Sequence, residues 1–327
     1  TVCPSYALGG LALLLPDVKA VAGDIVVQHA GCLPQILWRS MLVAYLGCGG
    51  PGFRTYAKIS NQIKHPCDTT PGDLCNMYTY LKRLIQVPSD GGIGRDKVLS
   101  GDGRSVKMRF VEPLPGQSTP NAQGLPVLES WHATAVSIVK VLEAGGTAAN
   151  IEEVRAAALK TMGARGFSDK LRTAKQIGDL TAKEIFCYMA VAYPCLLQDP
   201  SRYVPGGSGC IRGCELVTGD KVTATTVPDR LRQLIEDMPQ DIQLQLNKAG
   251  AEAIDALDSD IRALPGYSYV KKHGVGTLDV EVCLCWFQGY HNSKGAGMHT
   301  WSGFRACLWE TRPPMSEGPA DEAFYHG

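Results

Sequence analysis

The chain has 327 residues, of which 45% are hydrophobic and 20% charged, and Lys plus Arg equal Asp plus Glu at 32 each. This balance excludes a disordered polyelectrolyte, which needs fewer apolar side chains and more net charge, and it excludes collagen-like and low-complexity chains. The length suits one large domain or two lobes around a buried core.

Tyr6 to Leu15 is apolar, but Gly9 and Gly10 break it and Pro16 stops it. It is too short to span a bilayer and no other stretch comes closer, so no membrane span is expected. Without a basic leader it does not read as a secretory signal. The chain opens on Thr1, which reads as a processed product or as part of something longer. Next, Leu33, Ile36, Leu37, Met41, Ala44 and Tyr45 recur at helical spacing, and the glycines from Gly47 to Gly52 read as the end of that helix. The same glycines satisfy G-x-G-x-x-G, a loop that lets backbone N–H groups approach a nucleotide or S-adenosylmethionine. That chemistry requires a strand at Met41–Leu46. An enzyme holding such a cofactor is the alternative reading of the chain.

Ser105 to Val111 alternates apolar and polar residues and reads as a strand. Glu112 to Pro126, rich in Pro and Gly, reads as a linker. A run of helices with short connections follows. Val127–Glu143 carries Leu128, Trp131, Ala135, Ile138, Val139 and Leu142 on one face. Asn150 with Glu153 fits a capping box for a second helix. Ser168 opens a third, which Gly178 closes. Thr181 with Glu184 opens a fourth, which Asp199-Pro200 stops. Asp199 to Pro228 then reads as a long loop or arm. Two further helices are expected over Asp229–Met238 and Gln240–Ala263.

Beyond these the period changes. Leu278, Val280, Val282, Leu284 and Trp286 alternate with Asp279, Glu281, Cys283 and Cys285, and Phe304, Ala306 and Leu308 alternate with Arg305, Cys307 and Trp309. Both read as strands of a hairpin. The expected fold is therefore mainly α with a minor β component (α+β), a two-lobed helical protein with a C-terminal β-hairpin. Its segments are an N-terminal lobe (1–111), a linker (112–126), a helical core bundle (127–198), a loop or arm (199–228), and acidic C-terminal helices with the hairpin (229–327).

No catalytic, cofactor or metal set emerges. Gly206 to Cys210 misses the nucleophile elbow because its fifth residue is Cys. Cys210 and Cys214, with Cys283 and Cys285, have spacings that fit few zinc sites, and on a strand the last two would share a packed face. His291 and His299 sit in a glycine-rich loop near Cys285 and Cys307, and nothing in the spacing fixes a Cys–His pair. His132, beside Trp131, reads as a packing or surface residue. The 12 cysteines mostly fall in apolar patterns and read as buried thiols of a reducing compartment, either cytoplasm or an assembled particle.

The departure from background is basic. Arg155, Lys160, Arg165, Lys170, Arg172, Lys175 and Lys183 follow one another with Asp169 and Asp179 as the intervening acids. A second cluster holds Arg95, Lys97, Arg104, Lys107 and Arg109, with Lys107 and Arg109 on one face of the expected strand. Phe110, Phe167, Tyr188 and Tyr203 are available to stack on bases. The plain alternative is a solvated charged face. Residues 1–228 carry a balance of +5 and residues 229–327 one of −5, which suits self-association.

Together these features suggest a self-assembling, RNA-coating structural protein of the viral nucleocapsid or coat type. It would hold the phosphate backbone of single-stranded RNA in a basic groove without sequence specificity, with copies of itself as the other partner. A coat assembled by protein contacts alone, docking Glu317–His326 on a neighbour, is a third reading.

Overall fold

The structure is a computed structural model that describes residues 13, 16–46, 50–86, 124–147, 149–199 and 201–294. Its helices are α1 (Pro16–Val21), which runs into a π-helical turn over Ala22–Val27, α2 (Leu33–Leu46), α3 (Gly50–Ile59), α4 (Pro71–Gln86), α5 (Leu125–Leu142), α6 (Ile151–Leu171), α7 (Asp179–Ala192), α8 (Ser208–Thr218), α9 (Val227–Glu236), α10 (Gln240–Asp255), α11 (Ser259–Arg262), α12 (Pro265–His273) and α13 (Thr277–Lys294). None of them is long and apolar enough to cross a membrane.

Two helices form the centre because their sequences are apolar nearly all round. Every residue of α2 except Gln35 is buried, and in α7 the run from Thr181 to Val191 is buried except Glu184. α2 packs on α3, α5 and α7, and α5 packs on α4 and α6. One hydrophobic cluster thus joins residues from both sides of the segment 112–126. Tyr45 and Trp131 meet edge-on with ring centroids 5.6 Å apart, and the Tyr45 hydroxyl donates to the Gly124 carbonyl at 3.1 Å. A charge inside α2 is tolerated because its donors are used. Arg39 donates to Gln35 Oε1, the Tyr56 hydroxyl and the carbonyls of Ser60 and Ile63, each at 3.0 Å, tying α2 to the end of α3.

Of the four helices expected between Val127 and Asp199, three are present with different ends as α5, α6 and α7, and the one expected from Ser168 to Gly178 is absent, because α6 runs on to Leu171 and turns follow it. Asn150 precedes α6, but its Oδ1 accepts from the Thr147 N–H and hydroxyl, both at 2.9 Å, and caps the preceding turn instead. Ser168 opens nothing. It lies fully buried inside α6. The break falls at Gly163, whose φ of 68° and ψ of 174° interrupt the helix. A residue with a Cβ disfavours that conformation. Asp199 then caps the second half of α6, its Oδ2 accepting the Ala164 N–H at 2.7 Å. α7 starts after Gly178, with Thr181 buried in its first turn. Within the stretch read as a loop or arm, Ser208–Thr218 is α8, and Gln240–Ala263 divides into α10 and α11.

The α+β expectation is overturned. Among the described residues 75% are helical and none is in a strand. The first strand of the expected C-terminal β-hairpin is the N-terminal half of α13. The alternation misled because its acidic members are buried along with the apolar ones: Asp279 is 6% and Glu281 0% exposed. Asp279 Oδ2 accepts the Gly276 N–H at 2.8 Å at the start of the helix, and Glu281 pairs with Lys183. Polar residues with such partners sit inside a helix face and imitate a strand's polar side. The other expected strands, Ser105–Val111 and the one around Phe304–Leu308, lie outside the described residues.

Candidate nucleic-acid interface

The cations expected to bind RNA separate into three groups. Arg104, Lys107 and Arg109 lie outside the described residues. Arg155, Arg172 and Lys183 are paired with carboxylates. Arg155 is buried on α6 and bridges Glu143, just past α5, and Glu152. Lys183 Nζ lies 2.8 Å from Glu281 Oε2 and donates to Oε1 at 3.1 Å, with the two side chains 8% and 0% exposed. Arg155 and Lys183 are therefore taken up by packing between helices and face no solvent. Lys160, Arg165, Lys170 and Lys175 form the third group. All four are exposed along α6 and the turn after it, without an ion-paired carboxylate among the described residues.

Two of the expected cations meet at one aromatic ring. The Arg165 guanidinium lies over Tyr203, 5.8 Å from its centroid, and Arg172 Nη2 donates to the Tyr203 hydroxyl at 3.2 Å. Arg172 is also bonded to Asp169 and Asp179, so its charge is largely compensated. Burial pushes the Tyr203 phenol up, and the Arg172 charge beside it works the other way.

The backbone around this cluster is built. Asp199 Oδ1 accepts the Ser201 N–H at 2.8 Å and the Ser201 hydroxyl at 2.6 Å, while its Oδ2 caps Ala164. One carboxylate thereby fixes the loop that carries Tyr203 against the half-helix that carries Arg165. Burial alone would raise the Asp199 pKa, but these bonds outweigh it and hold the carboxyl below its usual value. Lys175 is held from α5. Trp131 Nε1 donates to its carbonyl at 2.7 Å, and its own N–H donates to Ser130 Oγ at 3.0 Å. Of the expected stacking aromatics, Phe167 and Tyr188 are buried, Phe110 lies outside the described residues, and Tyr203 is half-buried.

The remaining sequence candidates resolve differently. Met41–Leu46 is helical, so the strand that a nucleotide or S-adenosylmethionine loop at Gly47–Gly52 requires is replaced by α2; Gly47 to Gly49 lie outside the described residues. Cys283 and Cys285 do not share a face, because Cys283 is exposed on α13 and Cys285 is turned toward Gly209 of α8. Among the described residues no three or more His, Cys, Asp or Glu side chains are placed to hold a metal ion. His291 is exposed beside Phe287, and His299 lies outside the described residues. His132 packs edge-on against Trp38 with its Nε2 2.7 Å from the Pro66 carbonyl.

Two residues that organise this region were misread in the sequence, Asp199 as a helix stop and Glu281 as the polar side of a strand. A lysine and an acid inside otherwise apolar segments were the available signal for the Lys183–Glu281 pair. No family model, curated protein or solved structure matches the chain.

Proposed function

We propose that this protein is a non-catalytic, self-associating helical protein that coats single-stranded RNA by its phosphate backbone. Its contact surface runs along α6 through Lys160, Arg165, Lys170 and Lys175, with Tyr203 as a stacking platform. The observation that supports this reading is the meeting of Arg165 and Arg172 at the Tyr203 ring, on a stretch whose Lys160, Lys170 and Lys175 are exposed with no ion-paired carboxylate among the described residues. Cations flanking a half-buried aromatic suit single strands where its open part can stack on a base and phosphates take the charge. Arg155 and Lys183 have no part in it. Self-association is supported by exposed large apolar residues on two helices, Leu216 and Val217 on α8 and Ile242 and Leu244 on α10.

The test is fluorescence anisotropy of a labelled oligouridylate over a salt series. Replacing Arg165, Lys170 and Lys175 together by Ala is expected to weaken binding. It should also flatten the slope of log affinity against log salt by about 0.7 for each phosphate that is no longer neutralised. Unchanged affinity and slope in the triple variant would remove these residues and the reading with them.

A further inference from the structure

A cavity of about 280 Å³ opens between α7, α10, α12 and the start of α13. Phe186, Leu196 and Leu278 make its inner wall, all buried and apolar, while Arg202, Gln243 and His273 stand among its polar lining groups. An apolar pit with a few convergent polar groups is the usual form of a small-molecule site. Sites for drug-sized ligands run to about 300–1,000 Å³, so this volume restricts the occupant to a smaller molecule.

Arg202 decides the chemistry. Its φ of 50° is left-handed, which residues with a Cβ disfavour. The loop nevertheless holds it there. The Arg202 N–H donates to the Asp199 carbonyl at 2.8 Å, and the Asp199 carboxylate anchors Ser201 beside it. Backbone strain kept in place by surrounding bonds gathers at binding sites. The guanidinium itself makes no hydrogen bond among the described residues, and Glu236 approaches it at 3.9 Å with both side chains about half exposed. Tyr269 and His273, which also line the cavity, stack with ring centroids 4.3 Å apart. Burial raises the Tyr269 phenol, and the Arg202 charge opposes that rise. The acid on the wall, Asp279, bonds to its own helix start.

We propose that this cavity binds a small carboxylate with an apolar body. The carboxylate is taken by Arg202, and the apolar part lies against Phe186, Leu196 and Leu278. A guanidinium fits this head group because it offers paired N–H donors in a rigid fork. The proposal does not rest on RNA coating, since the site uses none of the α6 cations, although Tyr203, the stacking platform proposed above, also lines this cavity.

The test is calorimetric titration of the full chain with phenylacetate and with its neutral isostere phenylacetamide. Saturable binding of phenylacetate is expected, with phenylacetamide weaker by at least about tenfold. Arg202→Gln, at a half-exposed position, should weaken phenylacetate by a similar factor while leaving the melting temperature unchanged. Gln243→Trp should weaken it by filling part of the cavity that Gln243 lines. Three results would each overturn the proposal: no saturable binding of phenylacetate at millimolar concentration, equal affinity for acid and amide, or an Arg202→Gln protein that melts and binds like the wild type.

Discussion

Lys183 and Glu281 join α7 to α13 through an ion pair with almost no water around it. The Gly207 N–H also points to Glu281 Oε1, at 3.4 Å. A buried pair adds little net stability compared with apolar packing, but losing one partner strands the other charge. Lys183→Met should therefore lower unfolding free energy by about 3–5 kcal/mol. The double variant Lys183→Met with Glu281→Leu should recover most of that deficit. Urea midpoints measure both, and a double variant as unstable as the single one would contradict this account. Burial alone would depress the Lys183 ammonium, but Glu281 beside it reverses the effect and holds its pKa above the ordinary 10.5. With the folded value raised, the contribution of Lys183 is complete below 10.5 and disappears as pH rises through the folded value. Wild type should lose stability over that alkaline range by a share that Lys183→Met lacks.

Helix packing here depends on how closely two backbones approach. α8 lies along α13, and a Cβ on Gly213 would stand 2.2 Å from the Leu284 carbonyl oxygen. Backbone cannot rotate aside as a side chain does, so Gly213→Ala must push the helices apart. Overpacking of this kind costs about 1–3 kcal/mol. Gly207→Ala is the control, because its Cβ would meet nothing nearer than Leu180 at 3.9 Å. Thermal melts should show Gly213→Ala destabilised and Gly207→Ala close to wild type. Equal melts would mean that α8 can shift along α13 at no cost in stability. The same closeness bears on how far α13 can be read from sequence. Its apolar residues announce a buried segment, but over 278–284 every residue except Cys283 is buried, which erases the helical stripe there, and the acids at 279 and 281 supply a false period of two.

At the scale of the whole molecule, the hydrophobic cluster runs from Leu13 to Leu284 and includes Trp38 on α2 and Trp131 on α5. The helices before residue 87 and those after residue 123 thus depend on each other's apolar faces. Unfolding in urea should be a single transition, with tryptophan fluorescence and far-ultraviolet circular dichroism giving the same midpoint. Separate midpoints would show that the two parts hold their own cores. The charge asymmetry between the front and back of the chain is a property of the same scale, and it does not predict which cations stay free. That was settled locally, by Glu143 and Glu152 around Arg155 and by Asp169 and Asp179 around Arg172.

The sequence by itself determined three helices of the middle region, α5, α6 and α7, and the helical run before Gly47, because apolar residues three and four apart define a face whatever that face meets. It also made the cation-rich stretch visible. Tertiary structure alone decided the rest. Whether Lys183 is free depends on the acid that α13 brings within 2.8 Å of it, and whether alternation means strand depends on what partners the polar residues have. Those are contacts between residues far apart in the chain, such as Lys183 with Glu281 and Asp199 with Ala164, and no local pattern encodes them.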